Sequence, residues 1–116
     1  MRKVNGSLEN EILDAIWNLE ESQEEENISV TEVLDFLNNN SESSQRAYTT
    51  IKTVMDRLVE KDLLVRYKEG KKFYYKSTSS RNEMAQKAIK SLANQYFNNN
   101  LRSLIKAIEK ECSIAN

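Results

Sequence analysis

Histidine and proline are absent from this 116-residue chain, glycine occurs twice and cysteine once. Without histidine the chain lacks the commonest general base and the commonest zinc ligand. A Ser–His or Cys–His nucleophilic arrangement is excluded with it, and neither a carboxylate pair nor a glycine-rich phosphate loop stands in its place. We therefore expect no enzyme, no cofactor and no metal site. The single cysteine, Cys112, rules out an internal disulfide framework and reads as a small apolar residue in an apolar stripe. A chain without proline and nearly without glycine favours continuous helices over an all-β or disordered fold. No apolar run approaches the ~20 residues needed to span a bilayer, and the sequence opens without a signal-peptide apolar core. The expected location is cytoplasmic, with no membrane partner. The length suits a single domain, or one small domain with an oligomerising extension.

Charged residues make up 30% of the chain and nearly cancel, to a net −1. The average hides a segregation. Residues 9–42 carry eleven acids and no base, whereas 81–116 carry six bases and three acids. Between Arg46 and Lys76 nine bases face four acids. A protein that turns one face to a polyanion needs that separation; a uniformly solvated one does not.

Apolar periodicity divides the chain into elements. The spacing predicts a first helix from Leu8 to about Leu19 after an N-cap at Ser7, with Leu8, Ile12, Ala15, Ile16 and Leu19 on one face. Trp17 on that helix reads as core. Glu20 to Asn27 has no apolar residue and is expected to be a solvated loop. Ile28-Ser29-Val30 allows a very short strand. Ser29 and Glu32 have capping-box spacing and open a second helix with Val30, Val33, Leu34 and Leu37 inward. Asn38 to Gln45 is a polar connector. A third helix runs from about Tyr48 to Lys61, with Ile51, Val54, Met55 and Leu58 as its buried stripe. Two strand-like runs follow, Leu63–Lys68 and Lys72–Ser77, joined across Glu69-Gly70-Lys71. Ser80 and Glu83 again have capping-box spacing, and the fourth helix carries Ala85, Ala88, Ile89, Leu92 and Tyr96 on one stripe. Three asparagines separate it from a fifth helix striped by Leu101, Leu104, Ile105, Ile108 and Cys112.

The third helix presents Thr49, Thr50, Lys52, Thr53, Asp56 and Arg57 on its free face. An α-helix fits the DNA major groove, and threonine can donate, accept or press its methyl on a thymine methyl. Three threonines within five positions lower helix propensity, which suggests another use for that face. The same face also fits an ordinary solvated surface. In the hairpin, Lys68, Lys71 and Lys72 cluster around Gly70, which suits a turn at positive φ. Strand alternation sets Val65 and Tyr67 against Arg66 and Lys68, and Phe73 and Tyr75 against Lys72, Tyr74 and Lys76. Lysines on a hairpin can protect a sheet edge. Directly after a threonine-rich helix they also fit a phosphate grip, in which charge and reach matter more than geometry. Tyr48 suits either stacking on a sugar or base, or packing at the helix start.

Two segments carry a family resemblance. The run from Ser7 to Trp17, SLENEILDAIW, and the run from Ala47 to Lys61, AYTTIKTVMDRLVEK, resemble the penicillinase repressor family, which includes the methicillin-resistance and copper-transport repressors. The hairpin GKKFYYK matches as well, and the likeness covers roughly residues 7–110, weakening after Ser80. It implies a winged helix that dimerises through C-terminal helices and represses from an inverted-repeat operator. On that likeness Thr49, Thr50, Lys52, Thr53 and Arg57 fall on the recognition helix, and Lys68, Lys71 and Lys72 on the wing. Four features depart from the family pattern. Asp62 stands where a glycine usually closes the recognition helix. The lone cysteine does not reproduce the paired-cysteine motif of the copper-responsive members. The Asn-Phe bond cut in the β-lactam-responsive members is missing from the dimerisation region, and the family's usual last helix has no counterpart before Asn116.

The resulting expectation is a mostly α protein with a small β-hairpin. Residues 1–78 form a winged helix-turn-helix domain, and 79–116 a helical dimerisation region. Its partners are double-stranded DNA and a second copy of itself. The expected DNA contacts are Arg46, Thr49, Thr50, Lys52, Thr53, Arg57, Lys68, Lys71 and Lys72. The expected dimer contacts are Ile89, Leu92, Tyr96, Leu101, Leu104, Ile105 and Ile108. An alternative from another class is a winged-helix module that binds protein through the acidic 20–26 loop.

Overall fold

A computed structural model describes residues 7–22, 27–39 and 45–115. Within them the order is α1 (Leu8–Ser22), α2 (Val30–Asn39), α3 (Tyr48–Glu60), β1 (Leu64–Glu69), β2 (Lys72–Ser77), α4 (Arg81–Tyr96) and α5 (Leu101–Ala115). This is the expected order, a winged helix followed by two further helices. The chain divides into two compact units, Met1–Ser80 and Arg81–Asn116. Most of the acidic run that the alternative reading uses, and the centre of the 38–45 connector, lie outside the described residues.

In the first unit three helices and the base of the hairpin share one core. Ile12 and Ile16 of α1, Val33 of α2, Ile51, Met55 and Leu58 of α3 and Tyr75 of β2 expose no surface. Each fully buried aliphatic side chain contributes about 1.5–3 kcal/mol against an extended chain. The helix starts follow their capping signals. Ser7 Oγ accepts from the N–H of Asn10 at 3.2 Å. Ser29 and Glu32 form the reciprocal capping box, at 3.0 and 3.3 Å.

Two expectations change. Ile28 forms a single bridge, accepting from the Tyr75 N–H at 2.8 Å, and Val30 already belongs to α2. The capping box turns the backbone into a helix before a strand can develop. Glu20, expected in a solvated loop, lies in α1, which runs three residues past Leu19. Its carboxylate accepts from both the N–H and the hydroxyl of Ser77, each at 2.8 Å. Trp17 is half-buried against the core, and its indole N–H donates to the Ser79 carbonyl at 3.0 Å.

The hairpin pairs Glu69 with Lys72, Lys68 with Phe73 and Arg66 with Tyr75. Its two-residue loop puts Gly70 at φ 68°, the positive φ that a type II′ turn places at its first central residue. Opposed residues share a face, so Arg66, Lys68, Phe73 and Tyr75 lie with Leu64 on one side. The second unit is a helical hairpin in which Ala93 and Leu104 are buried. Asn98 and Asn99 turn at φ 51° and 61° between its helices, and Asn100 caps α5 by accepting from the Ser103 N–H at 3.1 Å.

Candidate nucleic-acid interface

The α3 helix is held from both ends. At its start, the Asn38 side chain accepts from the Arg46 N–H at 2.8 Å and donates to the Arg46 carbonyl at 3.3 Å. This pair of hydrogen bonds aligns the last residues before α3 with the end of α2. At its far end, Asp62 sits at φ 63°. The N–H of Leu63 reaches the Leu58 carbonyl at 2.9 Å, and that of Asp62 the Val59 carbonyl at 3.0 Å. These two bonds form a Schellman closure, with the aspartate in the position that glycine usually fills.

With Ile51, Val54, Met55 and Leu58 turned inward, Thr49 and Thr53 lie opposite the core, and Thr50, Lys52 and Arg57 are also exposed. The threonine side chains are open to solvent. The bases are not equally free. Lys61 Nζ lies 2.9 Å and Arg57 4.0 Å from the Glu9 carboxylate of α1. Arg46 pairs with Glu11 at 3.1 Å, so it braces α1 against the connector into α3.

On the other flank, Asp56 is the hub between α3 and the wing. It takes Lys52 Nζ at 2.7 Å, Arg66 at 3.1 Å and the Tyr75 hydroxyl at 2.8 Å. Partial burial works to raise the Asp56 pKa, but the bonds from Lys52 and Tyr75 and the charges of Lys52 and Arg66 outweigh it, and the net shift is downward. Tyr75 moves the opposite way. Burial, then its bond to the Asp56 carboxylate, pushes the phenol up to about 12. The Lys52–Asp56 spacing is legible as an i, i+4 pair. Nothing local in the sequence points to Tyr75 and Arg66 as neighbours of Asp56, or to Glu9 as the partner of Arg57 and Lys61.

On the wing, the Arg66 guanidinium lies 4.9 Å and the Lys68 ammonium 5.6 Å from the Phe73 ring centre. Lys71 and Lys72 are exposed at the tip. In the second unit Ile89, Leu92, Tyr96, Leu101, Ile105 and Ile108 are 41–69% exposed, an apolar stripe along both helices. Leu104 differs from that expectation. It is 4% exposed, already covered within its own helical hairpin.

A family model described as the penicillinase repressor matches residues 5–116, through both C-terminal helices. The chain belongs to that family. Comparison with curated proteins returns no match. The family comprises DNA-binding transcriptional repressors, regulators rather than enzymes. Among the described residues of this member, no helix is long and apolar enough to cross a membrane.

Proposed function

We propose that this chain is a sequence-specific repressor that binds an inverted-repeat operator as a homodimer in the bacterial cytoplasm. In this reading α3 enters the major groove, and Thr49, Thr50, Lys52, Thr53 and Arg57 meet base edges. Lys68, Lys71 and Lys72 of the wing, with Arg46, hold the phosphate backbone. The apolar stripe of α4 and α5 meets the same stripe of a second copy, which brings two recognition helices onto one face of the duplex. The observation that carries the reading is the exposed threonine row on a helix clamped to a lysine-tipped hairpin.

Separating specific from non-specific affinity tests it. Thr53→Ala should weaken binding to a preferred duplex by about 1–3 kcal/mol and leave binding to an unrelated duplex almost unchanged. Lys72→Ala should weaken both alike and flatten the dependence of log K on log salt by about 0.9. If Lys72→Ala relaxes sequence preference and Thr53→Ala leaves it intact, the two roles are reversed.

A further inference from the structure

The bases on and beside α3 lie within 4.0 Å of carboxylates: Arg46 of Glu11, Arg57 and Lys61 of Glu9, Lys52 and Arg66 of Asp56. Glu9 and Glu11 belong to α1, whereas Asp56 belongs to α3 itself. With Thr49 and Thr53 it completes the i, i+4, i+7 row opposite the buried stripe. With its pKa lowered, the carboxyl is ionised at neutral pH. A negative charge therefore stands within the face proposed to meet a polyanion, where it repels phosphates.

That charge is anchored from the wing. The Tyr75 hydroxyl and the Arg66 guanidinium both donate to Oδ1, at 2.8 and 3.1 Å, and Lys52 Nζ donates to Oδ2 at 2.7 Å. A lysine–carboxylate pair on a helix surface is ordinarily weak, because two free side chains must be ordered to form it. Here the carboxylate is already fixed, and only the lysine is ordered. An unheld lysine, on its flexible four-carbon stem, takes whichever phosphate comes within reach. Phosphate contacts carry no sequence information, and contacts to base edges do.

We propose that Asp56 is a positioning residue that sets sequence specificity: it holds the Lys52 ammonium for a base edge and withholds Lys52 and Arg66 from phosphates. The sequence-independent part of binding is thereby suppressed. The inference rests on the proposed DNA-binding reading.

The test is the salt dependence of binding by the full chain to a duplex selected from a random pool and to an unrelated duplex of equal length. Asp56→Asn keeps the shape and an acceptor oxygen but removes the charge. It should tighten binding to the unrelated duplex several-fold and steepen log K against log salt by about 0.9 for each base released. Affinity for the selected duplex should stay level or fall, so the ratio of the two narrows. Tyr75→Phe loosens the same cluster and keeps the charge, and should leave slope and ratio near those of the wild type. Lys52→Met should weaken binding to the selected duplex and leave the slope on the unrelated one unchanged. A role in folding alone predicts something else, a parallel loss of both affinities in Asp56→Asn and Tyr75→Phe. That result overturns the inference, as does a wild-type ratio and slope in Asp56→Asn, or a slope flattened by Lys52→Met on the unrelated duplex. In each of those cases a wild type that still prefers its selected duplex keeps the DNA-binding reading intact. A wild type with no preference for any duplex overturns both.

Discussion

Asp62 shows how one residue can fill a position its chemistry only tolerates. An L-residue in the left-handed region places Cβ against the following carbonyl, and aspartate accepts this better than most but less well than glycine. The position is reinforced from outside the helix, because the Thr78 hydroxyl donates to the Asp62 carbonyl at 2.9 Å and the Thr78 N–H to the Leu63 carbonyl at 3.2 Å. Asp62→Gly keeps both backbone acceptors and removes the strain. It should raise stability by about 1 kcal/mol, less a few tenths for the looser unfolded chain, seen as a higher urea midpoint at unchanged slope. Asp62→Val should lower the midpoint. Individual side chains were legible in the sequence where a local rule governs them. Ser7, Ser29 and Glu32 cap as their spacing says, and Ile51, Val54, Met55 and Leu58 face inward as the period requires. The partners of Glu9 and Glu20, and those of Asp56 beyond Lys52, were not. They lie ten or more residues away in several cases, and no periodicity encodes which acid meets which base once the elements pack.

The wing and α3 act as one body because Asp56 ties them together. The Tyr75–Asp56 bond has a titration signature of its own. A phenol whose folded-state pKa is raised contributes stability that is complete below its ordinary value near 10. That contribution drains away as pH rises through about 12. Asp56 mirrors this at the acid end. Its depressed carboxyl contributes above the ordinary carboxylate range and loses that contribution as pH falls through the lowered value. Tyr75→Phe should therefore cost about 1–3 kcal/mol at neutral pH, by leaving a partly buried carboxylate short of a donor. The wild-type advantage should shrink between about pH 10 and pH 12 in denaturant titrations. An advantage that stays constant to pH 12 would show that the bond does not couple to folding. The elements themselves were read almost to their ends. The hairpin needed only its glycine and its alternation. The Ile28 strand shrinks to one bridge because the Ser29–Glu32 capping box turns the chain into α2, and α1 runs past Leu19, where Glu20 bonds to Ser77 of β2, a contact no local pattern encodes.

The second unit leaves most of its apolar stripe uncovered, an exposed patch of the kind that marks a contact with another surface. Leu104 and its neighbours on the stripe therefore have different consequences when changed. Ile105→Asp or Ile108→Asp places charge on a surface that is open in the single chain, so the helical hairpin should stay folded while self-association weakens. Leu104→Asp buries a charge inside the hairpin and should unfold it whatever the association state. Sedimentation of the three variants with circular dichroism separates these outcomes. A dimer that survives both Ile105→Asp and Ile108→Asp would place the interface elsewhere. The proposed dimerisation and groove reading meet in a single observable, the arrangement of the half-sites. Selection of bound duplexes from a random pool by the full chain tests the central claim most directly. The result expected is one enriched sequence repeated in inverted orientation, with half-site centres about one helical turn or a multiple apart, and lost when Thr53 is changed to alanine. Enrichment of no sequence, or of an unpaired or directly repeated site, would contradict it.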